Sequence, residues 1–136
     1  STYTWQGAAS IEMCKRIENG MLINVNLDED KTLGRDAKLF DQFLKALRST
    51  HCRVADLDLS GNELGEKGGV AMAEALKINT SLTNLELSSN DLGENGGVAM
   101  AEALKINTSL TNLNLSSNHL WEEGGVVAIA EALKIN

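Results

Sequence analysis

Leucines recur along the chain in a fixed order, L-x-x-L-x-L-x-x-N-x-L, with polar residues between them. It reads Val54, Leu57, Leu59, Asn62, Leu64, then Leu82, Leu85, Leu87, Asn90, Leu92, then Leu110, Leu113, Leu115, Asn118, Leu120. The alternating pair, Leu85 and Leu87 for instance, predicts a short strand with both side chains on one face. The asparagine suits the tight turn that follows, where its amide can satisfy backbone groups of neighbouring turns. Three asparagines in register predict a hydrogen-bonded ladder. A helix comes next, opened by Gly96-Gly97, with Val98, Met100 or Ala101, and Leu104 as its apolar stripe. Lys77, Lys105 and Lys134 stand near the carboxyl ends of the successive helices, where positive charge suits the helix dipole. The paired glycines are expected to let neighbouring backbones approach closely.

The units Cys52–Asn79, Thr80–Asn107 and Thr108–Asn136 are nearly identical, with a period of about 28 residues, the mark of a solenoid whose repeats bury their apolar faces on one another. Val126-Val127 faces a single Val98, so the last unit carries one extra residue. Upstream the pattern is weaker. Leu22, Val25, Leu27 and Asp30 hold the first four key positions, Leu33 falls one place late, and Leu39, Phe43, Leu44 and Leu47 give a helical stripe. This makes 21–51 a divergent repeat with a longer loop around Asp30–Asp36. Asp30 imitates the ladder asparagine only in part, because a carboxylate has no donor. Residues 1–20 read as an amino-terminal cap: a lead-in (Ser1–Gly7) whose Trp5 folds back, then a helix capped by Ser10, striped by Ile11, Cys14 and Ile17, and stopped at Asn19-Gly20.

These motifs resemble the leucine-rich repeat family, in its long ribonuclease-inhibitor subtype, which includes ribonuclease inhibitors, sensor arrays of NOD-like receptors and Ran GTPase-activating proteins. The resemblance covers about Met21 to Asn136. It implies an α/β fold, a right-handed coil with a parallel sheet on the concave side and helices on the convex side, here with the amino-terminal capping helix. The family serves many unrelated partners, so fold alone does not fix function.

At 136 residues, without proline, the chain suffices for one domain with a continuous core. No stretch reaches transmembrane length, and no signal peptide is read, although a chain beginning at Ser1 can have lost one. Cys14 and Cys52 are expected as small buried thiols of a reducing compartment, so a cytoplasmic location is inferred, inside a host cell if the protein is a bacterial effector. Asn79-Thr80-Ser81 and Asn107-Thr108-Ser109 match the glycosylation sequon, but each asparagine is read as a helix exit in left-handed backbone, copied with the repeat.

Strand residues alternating with the leucines should leave the concave face in columns. They are Asn24, Asp56, Asn84, Asn112; Asn26, Asp58, Glu86, Asn114; and Asp28, Ser60, Ser88, Ser116. None is basic or aromatic, Glu29, Asp30, Glu63 and Asp91 flank them, and the net charge is −7. Such a surface repels nucleic acid and anionic lipid, and its complement is a protein with a basic surface. Calcium-loop spacing is absent around Asp28, Glu29 and Asp30, so they are taken as solvated and no metal or cofactor is expected. His119 and Trp121 replace Asp91 and Gly93 on the rim, an exposed aromatic anchor or a lid over the core.

The function read from this is a non-catalytic protein-binding module. Its expected contact residues are Asn24, Asn26, Asp28, Asp56, Asp58, Asn84, Glu86, Asn112, Asn114, His119 and Trp121. One alternative is a GTPase-activating regulator, for which Arg35 is the best-presented arginine among Arg16, Arg35, Arg48 and Arg53. Another is an array or homodimer assembling through the carboxyl-terminal repeat, which ends at Ile135-Asn136 without a polar cap, although that end is first read as the mark of a fragment of a longer array. No catalytic motif is found, and His51 and Cys52, read as strand neighbours, would face opposite ways.

Overall fold

A computed structural model describes residues 3–120. Five three-residue strands, β1 (Thr4–Gln6), β2 (Asn24–Asn26), β3 (Asp56–Asp58), β4 (Asn84–Glu86) and β5 (Asn112–Asn114), form one parallel sheet in chain order. Between them run α1 (Ile11–Glu18), α2 (Thr32–Arg35) with α3 (Ala37–Leu47), α4 (Gly65–Leu76) and α5 (Gly93–Ile106). Each coil is thus strand, turn and helix, and the coils stack into an α/β solenoid. The leucines of the repeat fill it: Leu57, Leu59, Leu82, Leu85, Leu87 and Leu92 are essentially without solvent contact. They form one cluster with Met13, Ile17, Phe43 and Leu47 from the amino-terminal helices.

The lead-in contains a strand. Thr4, Trp5 and Gln6 pair with Asn24, Val25 and Asn26, so the sheet begins one coil earlier than the leucine pattern. The signal lay in Thr-Tyr-Thr-Trp, β-favouring residues in a stretch too short to show a period. Trp5 does meet the capping helix, through the Arg16 guanidinium 5.6 Å from its ring. Ser10 caps α1 by accepting from the Met13 amide. The buried face of α1 is Met13, Cys14 and Ile17, whereas Ile11 is 56% exposed, because at 3.6 residues per turn the first residue of the helix rotates away from the core. The loop at Asp30–Asp36 holds the one-turn helix α2, and Asp36 then caps α3 by accepting from the Leu39 amide.

Gly96 and Gly97 lie inside α5, which opens at Gly93 in left-handed backbone (φ +66°). Both are buried: a methyl on Gly69 would lie 3.4 Å from the Gly96 Cα, so α4 and α5 pack backbone to backbone there. Val98, expected in the apolar stripe, sits at its exposed margin, and Gly96 and Gly97 take part in the buried face instead. Lys77 and Lys105 do stand at helix carboxyl ends, each paired one turn back with Glu74 (3.1 Å) and Glu102 (3.4 Å). Lys134, the Val126-Val127 insertion, Trp121 and the carboxyl-terminal end lie outside the described residues.

Candidate functional site: the polar sheet face and its rim

Two asparagine ladders fix the geometry of the coils. In the first, the Asn90 Oδ1 accepts from the Asn62 and Leu64 amides (2.9 and 3.3 Å), and the Asn118 Oδ1 accepts from the Asn90 and Leu92 amides (2.9 and 3.3 Å). The Nδ2 of each reaches backbone carbonyls of its own and the preceding coil, as Asn90 does at Leu59 (2.8 Å). The series ends at Asn62, whose Oδ1 receives the Lys31 amide (3.0 Å). Asp30, in the equivalent place, accepts from the Ala9 and Thr32 amides (3.2 and 3.3 Å) and donates nothing. It is partly buried and therefore belongs to the scaffold, not to the surface carboxylates with which it was grouped.

The second ladder was missed. Asn79 and Asn107 are 5% and 7% exposed. Asn79 Nδ2 donates to the Leu47 carbonyl (2.7 Å) while Oδ1 accepts from Ser81 and Leu82; Asn107 repeats this with Leu76, Ser109 and Leu110. Neither is left-handed; Asn107 is extended (φ −69°, ψ 129°). Their amide nitrogens are spent inside the fold, which leaves no acceptor for a glycan in the folded chain. The signal available was the recurrence of Asn at this position, the same signal that exposed the first ladder.

The rungs hold the strands in register, and the register builds the columns. Asn24, Asp56, Asn84 and Asn112 are aligned partners, as are Asn26, Asp58, Glu86 and Asn114. In the third column, Ser60 and Ser88 hydroxyls lie 3.1 Å apart. The columns differ in use. Asn26, Asp58 and Asn114 each accept the backbone amide two residues on, from Asp28, Ser60 and Ser116, which closes the turn after the strand. Asn24, Asp56, Asn84 and Asn112 make no side-chain hydrogen bond to the described residues, and neither does Glu86. Asp56, Asp58 and Glu86 line a shallow depression with Asn24, Asn26 and Asn84. Asp58 and Glu86 are direct cross-strand partners, which places two carboxylate residues side by side on this face.

At the rim, each coil repeats two left-handed residues: Glu29, Gly61, Ser89, Ser117, and Lys31, Glu63, Asp91, His119. The second series carries its side chains outward. His119 Nδ1 meets Asp91 Oδ1 at 2.8 Å, both well exposed. Arg35 is not presented as a free finger: its Nε and Nη2 fork onto Glu63 (2.9 and 3.1 Å). That bidentate bond raises the Arg35 pKa and lowers the Glu63 pKa. His51 lies in a turn after α3, not on a strand, and Cys52 points toward Ser81 Oγ (3.5 Å). Both cysteines are free; Cys14 is buried, and Cys52 half-buried. Burial, with a smaller contribution from the Glu18 carboxylate, pushes the Cys14 pKa up to about 11. No group of metal-ligating side chains is present among the described residues.

A leucine-rich repeat sequence model matches residues 50–73, 79–101 and 107–130, just over half of the chain. The chain belongs to the leucine-rich repeat family. No curated protein sequence matches it. Among solved structures, this leucine-rich repeat domain is similar to one described as leiomodin-1 actin-binding site 2, with a TM-score of 0.80 and 28% identity over 95% of this chain and 76% of that one. It also shares its fold with the tropomodulin C-terminal domain of Caenorhabditis elegans, with a TM-score of 0.54 and 17% identity over 93% and 92% of the two chains. No helix among the described residues is long and apolar enough to cross a membrane.

Proposed function

We propose that this domain is a non-catalytic protein-recognition module that engages its partner through the sheet face and the rim. The observation that carries the reading is the column Asn24, Asp56, Asn84, Asn112 with Glu86 beside it. These side chains are held in register by the backbone, yet bond to nothing in the described fold. Because the backbone that carries them is fixed in register, binding has only their side-chain rotamers left to order. The contact residues are Asn24, Asn26, Asp28, Asp56, Asp58, Asn84, Glu86, Asn112, Asn114 and His119, together with Trp121 beyond the described part. The neighbouring carboxylate residues Asp58 and Glu86 favour a basic patch on the partner. Nucleic acid and anionic lipid fit this face poorly, and a cytoplasmic location follows from a reducing environment for the two free thiols.

The likeness to leiomodin-1 actin-binding site 2 makes actin the first partner to test. Purified protein is run with monomeric actin in gel filtration and with filaments in sedimentation, beside Asp56→Asn/Asp58→Asn/Glu86→Gln and Trp121→Gly. Co-migration that either variant weakens about ten-fold supports both the module and the actin assignment. Co-migration unaffected by both variants moves the contact off this face. If actin is not retained, the assignment fails, and the same variants are read against proteins cross-linked in lysate. The GTPase-activating alternative would require Arg35 to exchange its exposed pairing with Glu63 for the partner's nucleotide. Assembly through the carboxyl-terminal repeat depends on residues outside the described part.

A further inference from the structure

Lys31, Arg35, Lys77 and Lys105 each face a carboxylate, at 4.0, 2.9, 3.1 and 3.4 Å. Lys15, Lys38, Lys45, Arg48, Arg53 and Lys67 are exposed and make no ion pair with the described residues. Lys38 and Lys67 stand in the first turns of α3 and α4, whereas Lys15, Lys45, Arg48 and Arg53 lie where α1 and α3 end and β3 is about to begin, on the edge of the solenoid opposite the acidic rim. The segments that carry them touch. The Ser49 hydroxyl donates to the Glu18 carbonyl (2.8 Å), tying the end of α1 to the turn after α3. A methyl on Gly20 would come within 2.6 Å of the His51 carbonyl oxygen and 3.4 Å of Arg53 Cδ, so the two segments are in contact. The Arg53 guanidinium lies 6.0 Å from the Tyr3 ring, and Arg16 stacks on Trp5 beside it.

Fold stability explains only part of this. Lys15, Lys45 and Arg48 suit helix carboxyl ends. Arg53 does not: it stands where the next repeats place Ser81 and Ser109, and the Ser81 hydroxyl donates to the Val54 carbonyl (2.7 Å) as part of the scaffold. His51 likewise stands where Asn79 and Asn107 build the second ladder. The junction between the divergent and the first regular repeat therefore lacks two structural polar groups at this edge and presents His51 and Arg53 in their place.

We propose that this edge is a second binding surface, separate from the sheet face, for an extended acidic segment of a protein. Guanidinium groups fork onto carboxylates, and the half-exposed Tyr3 ring supplies an apolar seat between charges. The patch is small and lies on a chain of net charge −7, which opposes a long polyphosphate or a charged membrane more than a short carboxylate-bearing segment.

The test measures anisotropy of a fluorescein-labelled Glu/Asp-rich peptide with the whole domain, at low and physiological ionic strength. A single-stranded oligonucleotide and phosphatidylserine vesicles are run in parallel. The expected result is salt-sensitive peptide binding that Arg48→Glu/Arg53→Glu weakens at least about ten-fold and Asp56→Asn/Asp58→Asn/Glu86→Gln does not weaken. Circular dichroism checks folding; should the double reversal unfold, Lys45→Gln/Arg48→Gln gives the same reading at about three-fold. Three results overturn the proposal: no peptide binding at low ionic strength, binding that the patch variants do not change, or tighter binding of oligonucleotide or vesicles. None depends on whether actin binds the sheet face.

Discussion

Residues 52–120 and residues 3–51 stack in the same way but close their coils differently. In the regular repeats a buried asparagine bridges each turn to its neighbour, accepting two amides and donating to carbonyls. At the start of the stack Asp30 accepts two amides and gives nothing, since the segment before it turns an amide, that of Ala9, toward the carboxylate. The difference teaches that the repeat is conserved between copies where a side chain completes a backbone bond across coils. Where the preceding coil is irregular, the same place admits a charge.

The sharpest way to break this comparison is to exchange the two residues. Asn90→Asp removes three donated bonds at 2.8, 3.1 and 3.2 Å and buries a carboxylate. With each unsatisfied buried group costing about 1–3 kcal/mol, the loss should reach about 3–5 kcal/mol in urea unfolding. Asp30→Asn keeps the acceptor and should shift stability by less than about 1 kcal/mol. Equal losses from both exchanges would mean that the ladder is incidental to stacking.

A smaller effect is expected at an exposed glycine of the irregular coil. Gly34, in α2, lies so close to the turn after β3 that a methyl would collide with the Asn62 and Glu63 carbonyl oxygens. Both obstacles are backbone, so relief requires α2 to move. Gly34→Ala should cost about 2 kcal/mol although the position is solvent-exposed, a loss measurable as a lowered Tm. An unchanged Tm would show that α2 floats on the array and does not anchor it.

The strands, the columns and the first ladder were legible because each is a period that the copies repeat. What escaped has physical causes. β1 is a single short strand with no copy to compare it with. The second ladder was read locally, as a helix exit, although Asn79 and Asn107 bond to residues about a coil away, which only stacking brings together. The rim was visible as a list of charges, but the forking of Arg35 onto Glu63 depends on α2, which the loop sequence does not announce. The candidate surface for a partner was therefore readable in its membership, while the division into spent and unspent columns required the turn geometry.

Next in size is the contrast between the thiols. Cys14 is on the buried face of α1 with its pKa raised to about 11, whereas Cys52 is half-buried at the surface of the regular repeats. A thiol reagent should label one cysteine quickly and the other only as the fold opens, with Cys52→Ser removing the fast phase. The sign of the pH dependence follows from the raised value. Near pH 9 the unfolded thiol begins to ionise while the folded one stays neutral, so stability falls as pH rises toward about 11. Cys14→Ala should flatten that limb; an unaltered slope would assign it to other groups.

The smallest effect belongs to Gly61, and it tests how interchangeable the coils are. Its φ of +65° would argue for glycine if it stood alone, because side chains seldom adopt that conformation. Glu29, Ser89 and Ser117 occupy the same place in the neighbouring coils at +59°, +57° and +55°. A methyl there would meet the Glu29 carboxylate, which is the free end of a flexible side chain. Gly61→Ser should therefore stay within about 0.5 kcal/mol of the parent, the left-handed turn being imposed by the ladder on either side. A loss above about 2 kcal/mol would mean that the junction between the irregular and regular coils is more constrained than the junctions that follow it.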